Sequence, residues 1–141
     1  MTVTLSDEAR QFIVLFEDET GATARDCVVD EEYDRLVFLV AAGEMGEAIG
    51  PGGQHVQAVE GQLDREIKLV EDAPTPEDFV ASALSPAAVY NVTISENDDR
   101  VAYAEVADED RGAAIGKGGR NIDAARELAA RHYDIDEIEL T

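Results

Sequence analysis

The segment Ala48-Ile49-Gly50-Pro51-Gly52-Gly53-Gln54-His55-Val56 returns as Ala114-Ile115-Gly116-Lys117-Gly118-Gly119-Arg120-Asn121-Ile122, 66 residues later in a chain of 141. A self-similarity whose period is about half the chain describes a duplicated module, since a solenoid would repeat several times. Upstream, Asp34 to Val40 echoes Asp99 to Val106 with a one-residue slip. The chain is therefore expected to hold two modules, residues 1–72 and 73–141.

Each module reads α-β-β-α-α-β. Ser6 is placed to cap a first helix, with Asp7 and Glu8 in its first turn. Ala9, Phe12, Ile13 and Phe16 then recur at helical spacing up to Gly21. Strands are expected near 25–29 and 35–40, a short helix near 44–49, a helix carrying Val56, Val59 and Leu63, and a strand near 66–70. Residues 71–76 read as a linker. In the second module Thr75 caps a helix with Pro76 at its first position, and the helix ends by Ser85-Pro86. Strands follow near 89–95 and 100–106, turning through 96–99. A short helix near Arg111, a helix near 121–132 and a strand near 137–140 complete the unit. The expected fold class is α+β, with a three-stranded sheet packed on helices in each module.

A short helix, a glycine turn and a second helix bring two helix ends together. Glycine lacks Cβ, so the turn can take positive φ and a polynucleotide backbone can come close to the main chain. The free N–H groups and dipole at the start of the next helix favour a phosphate. Two copies of I-G-x-G-G-x-x-[IV], each between a strand and an amphipathic helix, are too specific for chance helix connectors. Ile49 with Val56, and Ile115 with Ile122, are expected to pin the flanking helices to the sheet.

These loops resemble the GxxG motif of KH domains, and the αββααβ order resembles their type II form. Two such units joined by a short linker resemble the small archaeal NusA proteins, which do without the N-terminal polymerase-binding and S1 domains of longer members. The resemblance implies a loop that clamps about four nucleotides of single-stranded RNA. It also implies a role in transcription elongation, termination or antitermination, with RNA polymerase as a partner. The RNA-contacting set is then Ile49, Gly50, Pro51, Gly52, Gly53 and Gln54 in the first module. In the second it is Arg111, Ile115, Gly116, Lys117, Gly118, Gly119 and Arg120. Pro51 departs from the pattern, standing where such clamps often carry Lys or Arg.

Charge at first opposes this reading. Asp and Glu number 32 against 11 Lys and Arg, for a net charge of −21, and only Lys68 and Lys117 are lysines. The acids are scattered rather than gathered into a tail, which fits adaptation to molar salt better than a grip on basic partners. At about 1 M salt the Debye length is near 3 Å, so their mutual repulsion is quenched. The bases, by contrast, are gathered. Five of them, Arg111, Lys117, Arg120, Arg126 and Arg131, lie within one segment where only Asp123 and Glu127 oppose them. Glu127 and Arg131 are spaced as a helical pair, whereas Lys117 and Arg120 flank the loop with no partner at such spacing. That is the electrostatic footprint of an RNA site.

Other chemistries fit less well. The run from Gly112 to Lys117 is one residue short of a nucleotide-binding P-loop, and Gly118 stands where Ser or Thr would hold magnesium. Cys27, His55 and His132 lack metal-ligand spacing, and the runs Glu17-Asp18-Glu19 and Asp98-Asp99 read as solvated surface. No catalytic residue, metal or cofactor is expected. A single cysteine and the absence of a long apolar run point to a cytoplasmic protein with no membrane contact, and a monomer is expected. The rival readings are a ribosome-assembly or ribosomal KH protein and, in another class, an acidic protein–protein adaptor that does not bind RNA.

Overall fold

Ser6 caps the first helix through its Oγ, which accepts the Ala9 N–H at 3.1 Å. The computed structural model describes residues 5–141. Helix α1 (Asp7–Thr20) ends at Gly21, whose φ of 76° lets its N–H reach the Glu17 carbonyl. Strands β1 (Ala24–Asp30) and β2 (Arg35–Val40) follow, then helices α2 (Met45–Ile49) and α3 (Gln54–Leu63) and strand β3 (Glu66–Glu71). β2 lies in the middle of the sheet, antiparallel to β1 and parallel to β3. The directions follow from connectivity, because a tight turn joins β1 to β2 while two helices carry the chain from β2 back to β3.

All six residues of β2 are buried. Leu36, Phe38 and Val40 join Phe16, Ala48 and Val59 in one apolar cluster, where the rings of Phe16 and Phe38 stack with centroids 4.4 Å apart. Each large apolar side chain buried there contributes about 1.5–3 kcal/mol. Arg35 is buried too, and its Nε reaches the Asp30 carboxylate at 3.0 Å. The expected linker begins later than the sequence suggests. Glu71 belongs to β3, and the Asp72 N–H donates to the Val40 carbonyl at 2.8 Å, extending the ladder by one bond.

The second unit repeats the order with α4 (Pro76–Ala83), β4 (Val89–Glu96), β5 (Arg100–Val106), α5 (Arg111–Ile115), α6 (Arg120–Tyr133) and β6 (Glu137–Leu140). Thr75 Oγ accepts the Asp78 N–H at 3.1 Å, and Pro76 takes the first helical position. Its sheet has the same strand directions as the first. Here β5 alternates, with Ala102, Ala104 and Val106 buried and Tyr103 and Glu105 exposed. The core is rich in alanine, with Ala125 and Ala129 of α6 buried alongside Phe79, Leu128 and Ile138. Helix α6 is 14 residues against 10 for α3. Its added turn carries Tyr133, whose ring lies 4.8 Å from Phe79 and whose hydroxyl donates to the Ala73 carbonyl at 2.7 Å.

The chain divides into two compact units between Asp72 and Ala73. Strand register locates the slip in the repeat. Cys27 pairs with Phe38 and Val92 with Ala104, so the offset is 65 residues before the hairpin turn and 66 after it. The second hairpin holds the extra residue and extends its ladder to Glu96 and Arg100. Arg35 therefore corresponds to Val101, where the sequence echo had aligned it with Arg100.

Candidate nucleic-acid interface

Each glycine loop is mounted on a short helix that is itself anchored to the sheet. In the first unit Glu44 Oε1 accepts the Thr23 N–H at 2.8 Å, and in the second Asp110 Oδ2 accepts the Ala88 N–H at 2.9 Å. Beside these, the Ala41 N–H donates to the Thr23 carbonyl and the Ala107 N–H to the Ala88 carbonyl. The acid before each short helix thus secures the start of the strand that opens the hairpin.

The two loops have nearly the same backbone. Gly50 and Gly116 have φ, ψ of 76°, 170° and 77°, 168°. Gly52 and Gly118 have 60°, 18° and 65°, 14°, and Gly53 and Gly119 have 81°, 14° and 88°, 6°. The glycines have different reasons to be there. A Cβ on Gly50 would lie 2.5 Å from the His55 ring, and one on Gly116 would lie 2.8 Å from Asn121. A Cβ on Gly52 or Gly118 would meet nothing within 4 Å, so that position is glycine for its positive φ and leaves the main chain open to the outside.

Ile49 and Ile115 correct the sequence reading. They are not pinned to the sheet: each is 39% exposed on the residue before the first glycine. Their partners in the pattern differ, Val56 being half-buried and Ile122 buried. In the second unit Ile115, Ile122 and Leu140 line an open groove of about 430 Å³ together with Arg111, Arg126, Asp123, Glu139, Gly118 and Gly119. Apolar and charged side chains lining one groove beside an exposed glycine suit a planar base whose phosphate rests on the loop.

Comparison with known proteins agrees with this geometry. Residues 76–141 match the family described as the NusA-like second KH domain, and residues 11–75 match the KH domain family. The probable transcription termination protein NusA of Halobacterium salinarum is 67% identical over all of both chains. The protein of that name from Halococcus morrhuae is 60% identical over 99% of each. The chain belongs to the NusA family. Its fold agrees as well: the crystal structure of APE1850 superposes with a TM-score of 0.87 at 33% identity, covering 97% of this chain and 100% of that one. The αββααβ units are thus the tandem type II KH modules that the sequence resembles.

Within this NusA-type frame the basic segment is less uniform than its sequence implies. Arg126 is engaged by Glu137 at 2.6 Å and Asp123 at 3.5 Å, and it donates to the Ile138 carbonyl at 3.2 Å. Arg111 is half-buried and donates to the Thr141 carbonyl at 3.3 Å. Arg120, also half-buried, is held by an intramolecular contact, so the expectation that it lacks a partner is corrected. Of the five bases Lys117 alone is exposed, and it sits at the second position of its loop beside exposed Gly118. At the same place in the first loop Pro51 is exposed, followed by exposed Gly52 and Gln54.

Two acids read as plain solvated surface, Glu17 and Glu19, are structural, and so is Glu44. Glu17 Oε2 accepts the Ala24 N–H at 3.0 Å, Glu19 accepts from Gln62, and Glu44 anchors the short helix. Sequence reasoning also missed His55 and Asn121, which face the first glycine of each loop. Their one available signal was equivalence in the repeat, which two unlike residue types obscure. Among the described residues no group of three or more His, Cys, Asp or Glu could hold a metal ion, and no helix is long and apolar enough to cross a membrane.

Proposed function

We propose that this protein binds single-stranded RNA through its KH loops and acts in transcription termination or antitermination, with RNA polymerase as its protein partner. It works as a binding protein and not as a catalyst. Residues 1–72 and 73–141 are its two binding modules. The contacting set is Ile49 to Gln54 in the first, and Arg111 with Ile115 to Arg120 in the second. The observation that carries the reading is the second loop. There exposed Lys117 stands next to exposed Gly118, which lines a groove together with Ile115, Ile122 and Leu140. The role in transcription is supported by relatives named as probable transcription termination proteins and by the Bacillus subtilis protein named for termination and antitermination. The latter is 38% identical over 86% of this chain, which spans 35% of that longer protein.

A KH groove accepts splayed bases and does not admit a duplex. Titration of a single-stranded RNA against the same strand annealed to its complement should show much tighter binding of the single strand. Equal affinity would overturn the clamp. Sequencing RNA cross-linked to the protein in cells separates the roles: nascent transcripts support action on transcription, precursor ribosomal RNA supports ribosome assembly, and no RNA supports a protein adaptor.

A further inference from the structure

We infer that His55 and Asn121 are positioning residues that fix the shape of the two glycine loops, one task performed by two different side chains. The functional half of this inference rests on the RNA-binding reading above; the structural half does not.

Both residues occupy the sixth place of the loop segment counted from its first glycine, 66 residues apart. Asn121 is 7% exposed in the first turn of α6. Its Nδ2 donates to the Ala114 carbonyl at 3.0 Å and lies 3.4 Å from that of Ala113, 3.3 Å from that of Ser85 and 3.4 Å from that of Leu84. Ala113 and Ala114 are in the last turn of α5, where carbonyls lack intrahelical partners. Leu84 and Ser85 lie just past α4. One amide therefore ties the ends of two helices to the start of a third, across the loop that separates α5 from α6.

His55 reaches the equivalent place by other means. Its Nδ1 lies 2.7 Å from the Glu47 carbonyl, and Glu47 is the counterpart of Ala113. A carbonyl can only accept, so Nδ1 carries the proton and donates. The first glycine belongs to the same device. A Cβ on Gly50 would strike the His55 ring and one on Gly116 would strike Asn121, so glycine there admits the residue that spans the loop.

A stretch with three glycines at positive φ loses much conformational freedom when it is held in one shape. A tie between its flanks meets that cost before ligand arrives, which raises affinity through preorganisation. The two ties differ in reach. Asn121 also engages the end of α4, whereas the hydrogen bond of His55 goes to α2 alone.

The test compares wild type with Asn121→Ala, His55→Ala and His55→Asn in the full chain at high salt. It reads amide exchange, thermal midpoint and affinity for a single-stranded RNA. The reporters are the Gly53 and Gly119 N–H groups, each bonded to the carbonyl of its loop's first glycine at 3.0 Å. Asn121→Ala should speed exchange at Gly119 by about tenfold and weaken RNA binding by about tenfold, as the loss of one net hydrogen bond implies, while amides of β5 keep their rates. His55→Ala should speed exchange at Gly53, and His55→Asn should restore it, because an amide can donate to the Glu47 carbonyl in place of the ring. His55 is only half-buried, so its pair decides the matter even if Asn121→Ala does not fold. Unchanged loop exchange in the alanine variants overturns the inference, whether the midpoint falls or not. Weaker RNA binding with unchanged loop exchange also overturns it, since the side chain would then be touching RNA directly. Faster loop exchange in a protein that binds no RNA upholds the latch and overturns the RNA reading.

Discussion

At the first loop the chain places Pro51 and Gln54 where the second places Lys117 and Arg120, on backbones whose glycine dihedrals differ by no more than 8°. The shared conformation shows what the fold demands: an acid to anchor the short helix, a glycine that admits a spanning side chain, and a glycine with positive φ that faces outward. The differing side chains show what the fold leaves to be chosen. Backbone alone brings an exposed glycine to the turn of each loop, Gly52 in the first and Gly118 in the second. A cation beside that glycine supplies a charge-assisted contact to phosphate, a stronger hydrogen bond than a neutral one, and Lys117 offers it at the second loop. On the proposed reading, the glycines mark where RNA lies and the residue between them sets how firmly it is held.

That comparison exists only while both modules are folded, and salt has the largest effect on it. With a net charge of −21 on 141 residues, self-repulsion grows as screening weakens. Circular dichroism should show cooperative melting at about 1 M KCl and partial unfolding at about 0.1 M, where the Debye length reaches about 10 Å. Equal thermal midpoints at the two salts would contradict adaptation to high salt. A smaller effect should follow from moving the second loop's chemistry onto the first. Pro51→Lys with Gln54→Arg should tighten RNA binding by about 1 kcal/mol, the size of one added net hydrogen bond. No gain in a titration would show that the loops differ by more than these side chains. The smallest effect concerns Lys68, whose pKa is lowered by burial and, secondarily, by nearby Arg35. The folded first module therefore resists the charged amine. Its stability should rise with pH from the lowered folded value up to the ordinary value of 10.5, as the proton leaves the folded form first. Lys68→Met should remove that alkaline rise in the thermal midpoint; a rise of the same size in the variant would exclude Lys68 as its source.

Much of this was readable in the residues. The repeat, the helix caps at Ser6 and Thr75, and the order of elements all rest on local patterns, and local patterns survive folding. The positions that misled are those decided by distant neighbours. Ile49 and Ile115 end helices of five residues, too short for periodicity to say which face is covered, and both turned outward. Arg126 looked like part of a basic island until β6 brought Glu137 against it. Glu44 and Asp110 carried no sequence signal for their role, since each bonds the N–H of a residue just before a strand and more than twenty residues away in the chain. His55 and Asn121 hid their equivalence because an imidazole and an amide are unlike residue types, although each reaches back to carbonyls of the short helix before its loop.

Paired substitutions at the two loops decide whether the second holds RNA more firmly than the first. Lys117→Asp with Gly118→Asp, and separately Pro51→Asp with Gly52→Asp, change exposed residues, and the added Cβ at either glycine has open space. Aspartate tolerates positive φ better than most residues, so the circular dichroism of folded protein should persist in both. In titrations with single-stranded RNA at high salt, the second-loop pair should cost about 2 kcal/mol or more through the lost contact and new repulsion, and the first-loop pair clearly less. Equal losses from the two pairs would contradict a firmer hold at the second loop and would mean that RNA runs evenly over both modules.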